Sequence, residues 1–255
     1  MPRQIIKSPG DTEQRAIAAG NSSDWNTVHG QDGTSASDVF FVAASAGNRV
    51  TQVRLLGVNY IISRGVLAYD FRTANAPRGI KVVRAQLVIG GTSVAASDTN
   101  GDKIRIGVIT NPTNPGEVSI VKTDYDLTRY DANSYTSAQA VPNGAINVAV
   151  NLNNSILLNQ LSKSINKRGV LHLSVRNELD FLDDPSDVTG LNRAWFSPPS
   201  AQGGSFTNKS LAELRIFYRI VNNRRNPGGR GAGGVASSGF GGTSMFSGTN
   251  SGFSS

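Results

Sequence analysis

His29 and His172 are the two imidazoles of the chain, and there is no cysteine. A Ser-His-Asp relay or a histidine metal site needs an imidazole held beside a carboxylate or a hydroxyl. His29 lies in a polar stretch near the start, and His172 occupies the outward phase of a strand pattern. The two are not expected to meet, and an ordinary surface role is the reading for both. The missing thiols exclude disulfides, thiolate metal sites and cysteine nucleophiles. Acids gather twice: Glu178, Asp180, Asp183, Asp184 and Asp187 follow one strand pattern, and Asp98, Asn100 and Asp102 form a D-x-N-G-D stretch. Hard cations want several oxygen ligands from a compact loop, so both places are calcium candidates, Asp98, Asn100 and Asp102 foremost. That stretch lacks the distant bidentate Glu of an EF-hand, and the same residue types build plain turns. Paired carboxylates also serve glycoside hydrolysis, but nothing in the spacing singles out a raised-pKa acid. The glycines from Gly228 to Gly234 have no strand-turn-helix context and bind no nucleotide. No catalytic residue and no cofactor are expected.

Aromatic rings offer binding chemistry instead. Trp25, Tyr125, Tyr130, Tyr135, Trp195 and Phe217 could stack on sugars from a sheet face. Trp195-Phe196 reads as the start of a strand packed in the core. The run from Asp124 to Tyr135 is too polar for a buried strand. It reads as an exposed loop with tyrosines, the composition of a contact surface; a long ordered loop fixed by Asp hydrogen bonds is the other reading. Trp25 stands alone as an anchor in a polar segment. Phe240, Met245, Phe246 and Phe253 dot a tail in which residues 227–255 hold 10 Gly and 7 Ser. No core forms from that composition. The expected partner contacts are Trp25, Tyr125, Tyr130, Tyr135, Phe240, Phe246 and Phe253.

The elements that must position these residues are strands. Charged residues are only 17% of the chain and glycine is abundant, which fits an all-β surface and its turns. Apolar residues alternate in Val82–Ile89, Lys103–Ile109, Leu171–Val175 and Ala212–Ile220, leaving one wet face, the signature of antiparallel strands packed on one side. Val39–Val42, Val50–Ile62 and Val66–Phe71 are also β-prone. Leu157, Leu158, Leu161 and Ile165 fall at helical spacing behind Asn154 or Ser155 as cap, predicting one short helix. Residues 1–38 read as an N-terminal arm in which Asp11–Ala19 forms a helical turn or two. Residues 39–222 read as one antiparallel β-sandwich, jelly-roll-like, and 223–255 as a flexible Gly/Ser-rich tail. Residues Met1 to Gly10 lack an apolar run, so no signal peptide is expected, and no stretch is long enough to span a membrane. The net charge of +7 comes from dispersed basic residues such as Arg49, Arg54, Arg64, Arg72, Arg84 and Arg105. Solvated strand faces are the plain reading, and a polyanion partner the other.

The order Arg64-Gly65-Val66-Leu67-Ala68-Tyr69-Asp70-Phe71, the turn Pro77–Gly79 and Val83-Arg84-Ala85-Gln86-Leu87-Val88-Ile89 resembles DNRLRE-type and related carbohydrate-binding-module-like β-sandwiches. Asp124-Tyr125, the helix near 155–165, Gly169–Val175, Trp195-Phe196-Ser197 and Leu211–Ile220 continue the likeness over residues 60–221. Such sandwiches occur in polysaccharide-associated proteins and in phage structural proteins. The resemblance, with polar ends on both sides, implies a non-enzymatic bacteriophage virion protein: a capsid decoration (cement) protein, or a tail, neck or baseplate component. Its expected partners are capsid or tail subunits and further copies of itself. A glycan or host-receptor module is the alternative; membrane and nucleic acid are not expected partners.

Overall fold

Two antiparallel sheets dominate the chain, with few helices. The computed structural model describes residues 3–7, 12–33, 35–38, 49–72, 78–90, 92–95, 103–140, 147–186, 188, 192–196 and 212–221. The strands are β1 (Arg3–Lys7), β2 (Thr12–Ser22), β3 (Ser35–Asp38), β4 (Arg49–Leu56), β5 (Asn59–Asp70), β6 (Ile80–Gly90), β7 (Thr92–Ala95), β8 (Lys103–Ile109), β9 (Gln139–Ala140), β10 (Asn147–Asn151), β11 (Val170–Asn177), β12 (Asn192–Phe196) and β13 (Ala212–Ile220). The helices are α1 (Trp25–Gly30), α2 (Ser155–Lys167) and α3 (Glu178–Leu182). The smaller sheet runs β1-β13-β6-β10; the larger runs β7-β12-β4-β5-β11-β8-β9, with β2 added to β5 and β3 to β2.

The period-two patterns place the first core between the sheets. Ala85, Leu87, Leu214, Ile216 and Tyr218 of the smaller sheet meet Leu67, Tyr69, Ile104, Ile106, Leu171 and Leu173 of the larger. Each such side chain, fully buried, contributes roughly 1.5–3 kcal/mol. Ile220, expected inward, is 42% exposed, although Ile80 opposite it is buried in this core. α2 closes the core with Leu157, Leu161 and Ile165, as its spacing predicts, and runs for 13 residues. The Asn154 carboxamide caps it by accepting from the Ile156 and Leu157 N–H groups. The helix also finishes a ladder. β10 pairs β6 only from Gln86 onward, so the opposite end of that edge needs partners. Asn166 accepts from the Ile80 N–H and donates to its carbonyl, and Ser162 accepts from the Val82 N–H.

A second core lies on the other face of the larger sheet. Ile17, Trp25, Val28, Ile62, Val66, Ala68, Tyr125, Tyr130, Tyr135 and Leu179 form it. The larger sheet is therefore covered on both faces around β5 and β11, and Ile62–Tyr69 and Leu171–Asn177 are buried without a break. The expected wet face of β11 is corrected: His172, Ser174 and Arg176 point away from the first core but lie beneath the segment from residue 110 to 136.

β5 is forked. β2 pairs it along one edge, from Thr12 opposite Tyr69 to Ser22 opposite Tyr60. The other edge is shared by β4 opposite Asn59–Ser63 and β11 opposite Gly65–Asp70. Thr51 sutures the fork, donating to the Ser63 carbonyl and accepting from the Asn177 N–H, both at 2.9 Å. The reading of residues 1–38 as an arm is corrected. β1 extends the smaller sheet against β13 and β2 the larger, so residues 12–19 of the expected helical turns are strand. The long edge of β5 supplies backbone partners that a short helix could not use. The chain divides into a compact unit, Met1–Val221, and a second unit, Asn222–Ser255.

Candidate functional site

Arg64 occupies the crotch of the fork and is fully buried. Its place is fixed by β5, which turns alternate side chains into the second core. α3 starts directly where β11 ends and aims Asp180 at the same point. Arg64 Nη2 and Nε lie 2.7 and 3.0 Å from the two Asp180 carboxylate oxygens, and Arg176 Nε lies 2.7 Å from Oδ2. Arg176 and Asp180 stand four residues apart, at the end of β11 and in α3, and Arg176 Nη2 also donates to the Asp180 carbonyl. Arg64 spends its remaining donors on the carbonyls of Tyr125 and His29.

Two guanidinium ions and one carboxylate leave an excess positive charge in the interior. Tyrosine rings offset it: Arg64 Cζ sits 3.9 Å from the Tyr125 ring centre, and Arg176 packs against Tyr135 and Phe181. Stacking of this kind is worth up to about 2 kcal/mol when desolvated. Burial alone would raise the Asp180 carboxyl, but Arg176 and Arg64 override it and hold that group well below the usual carboxylate range. Burial works against the Arg64 and Arg176 charges too; Asp180 restores them and keeps both more basic than usual. Burial pushes the Tyr125, Tyr130 and Tyr135 phenols up.

The cluster ties four segments together. α1 brings His29, whose Nε2 lies 2.9 Å from the Asp180 carbonyl and whose Nδ1 lies 3.2 Å from Asp183. Trp25 stacks on His29 and donates from Nε1 to Asp183 at 2.7 Å. The Tyr125 hydroxyl donates to the Val28 carbonyl, Tyr130 to the Asp124 carbonyl and Tyr135 to Ser174 Oγ. Three short 3-10 turns, Lys122–Tyr125, Leu127–Arg129 and Ala132–Ser134, shape the tyrosine segment. Asp126 and Asp131 cap the second and third. Asp124 accepts from the Thr113 and Val121 N–H groups. An ordered loop fixed by Asp hydrogen bonds is the structure of this run, and the exposed contact loop is corrected. Trp25, Tyr125, Tyr130 and Tyr135 are at most 9% exposed and turn no ring toward a partner. The three tyrosine rings face the buried Arg64 and Arg176, and Trp25 stacks on His29.

The other predicted sites fare differently. Glu178 pairs Arg105, Asp183 holds Trp25 and His29, and Asp184 accepts from Ser186. These acids serve cations and donors of the chain itself, and among the described residues no three His, Asp or Glu side chains converge on a cation site. Asp187, Asp98, Asn100, Asp102, Val39–Val42, Phe240, Met245, Phe246 and Phe253 lie outside the described residues. Trp195 and Phe196 close β12 rather than open a strand. Phe217 is half-buried on the outer face of the smaller sheet, with Arg84 over its ring. A cleft of about 220 Å³ passes Thr110, Gln160, Lys163 and His172, and another of about 290 Å³ lies beside Arg84, Asn151 and Asn153. Neither lining holds a carboxylate.

His172 is not at the surface. It is 3% exposed, and its Nε2 has no hydrogen-bond partner among the described residues. Burial pushes its imidazole below the ordinary value, against the pull of Asp124 and the Glu117 backbone. Below its ordinary value the unfolded chain binds a proton that the folded chain refuses, so stability falls as pH drops through that window. Urea midpoints are expected to decline from pH 7 to pH 5 in the natural protein, and to decline less in His172→Gln. Parallel curves would remove His172 as the cause.

Sequence reasoning missed the Arg64–Asp180–Arg176 cluster. The available signal was an arginine inside Ile61-Ile62-Ser63-Arg64-Gly65-Val66-Leu67, a run apolar on both phases, as in strands covered on both faces. The chain matches no protein-family model and no curated protein.

Proposed function

We propose that the chain is a non-enzymatic bacteriophage virion structural protein, a capsid decoration or a tail, neck or baseplate component, built on a jelly-roll-like β-sandwich and acting through subunit contacts. The observation that carries this reading is how the polar chemistry is spent. His29, Asp180 and Asp183 bind their own chain's backbone, tryptophan and arginines at the fork, and Glu178 pairs Arg105, which makes a stiff body. Beyond Val221 a separate unit begins, with glycine, serine and spaced phenylalanines and little to build a core of its own. A body braced in this way, joined to a segment of that composition, suits a protein that cements repeated neighbours, because each linked contact acts at high effective concentration.

The test is particle binding. The full chain is expected to co-sediment with phage particles lacking it, and a chain stopped after Val221 is expected to bind them weakly while melting at an unchanged temperature. A full chain that ignores such particles would remove the reading.

A further inference from the structure

The charges of the compact unit are sorted by side. The outer face of the smaller sheet carries Lys81, Arg84, Arg215 and Arg219 among the described residues, against the single acid Glu213. The far side, built by α1, the 110–136 segment and the loop after α3, shows Asp24, Asp32, Glu117, Asp126, Asp131, Asp183 and Asp184, against Lys122 and Arg129. The larger sheet and both cores lie between the smaller sheet and these acidic segments, the smaller sheet sharing the first core and the acidic segments the second; α2 flanks the first core and meets the 110–136 segment through Asn154. The basic side is laid out by register: Arg219 stands opposite Lys81, Phe217 opposite Arg84 and Arg215 opposite Gln86. Rows on one face of a strand recur about every 6.6 Å. Lys81, Arg84 and Arg219 are exposed, and Glu213 answers Arg215 alone.

We propose that the basic outer face of the smaller sheet docks on the acidic 110–136 and α1 face of a second copy of this chain, head to tail. The occupant is argued from charge complementarity: each surface is the counterpart of the other, and both stand on one molecule. A contact between two different surfaces does not close on itself in a pair; it propagates as a stack or closes as a ring. The four-stranded plate measures roughly 15 by 30 Å from strand spacing and rise, about half the ~800 Å² per partner of a standard interface. The single contact is therefore weak, steered by charge and sensitive to salt, and repetition supplies its strength. This inference rests on the assembly reading and names one of the partners.

Two double variants of the full chain test it. Arg84→Glu with Arg219→Glu turns the sheet face net acidic, and Asp32→Lys with Glu117→Lys removes two acids from the far side and adds two bases there. In light scattering the natural chain is expected to associate at about 0.01 M salt and to lose at least about tenfold in association constant at about 1 M, where the screening length shrinks from ~30 to ~3 Å. Each variant alone is expected to stay monomeric at low salt with an unchanged melting temperature, and mixing the two is expected to restore association. A natural chain that associates equally well when either side is reversed would overturn the faces and leave the assembly reading standing. Variants that stay apart on mixing would overturn the pairing. A natural chain monomeric at every salt concentration would overturn self-docking, whatever particles it binds.

Discussion

Asp180→Ala is expected to cost about 3–5 kcal/mol, the usual penalty for removing one partner from a buried ion cluster. Small domains are stable by only about 5–15 kcal/mol, so this one change takes a large share of the total. The cause is the loss of the one carboxylate among the described residues that faces both Arg64 and Arg176. Carbonyls of Tyr125 and His29 and the tyrosine rings cannot neutralise two guanidinium ions in a dry interior. Arg176→Met is expected to cost less, because Arg64 still answers Asp180 through two oxygens. Asp180→Asn separates charge from shape: it fills the same space, and a loss nearly as large as that of alanine assigns the effect to charge. Urea unfolding of the three variants measures this. A cost below about 1 kcal/mol for Asp180→Ala, the level of a surface pair, would show that the cluster is incidental. Acid should leave Asp180 alone while it acts on His172. A carboxyl held below its ordinary 3.8 contributes stability above that value and loses it only as pH falls through the lower, folded value. The decline between pH 7 and pH 5 therefore belongs to His172 and persists when Asp180 is replaced by Asn.

The strand phases were legible because one rule produced them. Ala85, Leu87, Ile104, Ile106, Leu214 and Ile216 turn inward wherever one sheet face meets the other, and the Asn154 cap and the Leu157, Leu161, Ile165 stripe announce α2. The second core was illegible for the same reason. Its lid is not a regular element: it consists of three short turns rich in Asp and Tyr, whose composition equals that of a solvent loop. What makes them interior is the pairing of each Asp with a backbone N–H a few residues away, and of the Tyr125 and Tyr135 hydroxyls with distant oxygens. Neither pairing has a period. β2 hid by a different route. Ala16, Ala18, Ala19 and Gly20 have little side chain to bury, so the segment shows no alternation. Its partner, β5, is apolar on both faces, and the backbone edge of β5 rather than any side-chain pattern recruits it. Arg64 could have been suspected, since a lone charge in a doubly apolar strand must be answered, but its answer lies in Asp180, more than a hundred residues away.

Deleting residues 1–22 is expected to abolish cooperative folding of the compact unit. The deletion removes β1 and β2 together. Ten residue pairs join β2 to β5, and each net backbone hydrogen bond between them is worth about 0.5–1.5 kcal/mol. Ile17, fully buried in the second core, leaves with them, and a buried isoleucine truncated to alanine already costs about 2–5 kcal/mol. The losses sum to the order of the whole stability of a domain. The newly bared edge of β5 would be long, flat and apolar, which favours pairing with other chains. α1 would lose its anchorage as well, since it packs against β2 and reaches the fork through Trp25 and His29. The expected result is a soluble yield near zero, or a product whose circular dichroism melts without a sigmoidal step. Ending the chain at Val221 provides the contrast, with an expected change in melting temperature under about 2 °C, the equivalent of less than about 1 kcal/mol. A deletion of residues 1–22 that melted as sharply as the natural protein would mean that this segment is a detachable arm after all, and β2 would then be a docked strand, available to a neighbour and free to be exchanged.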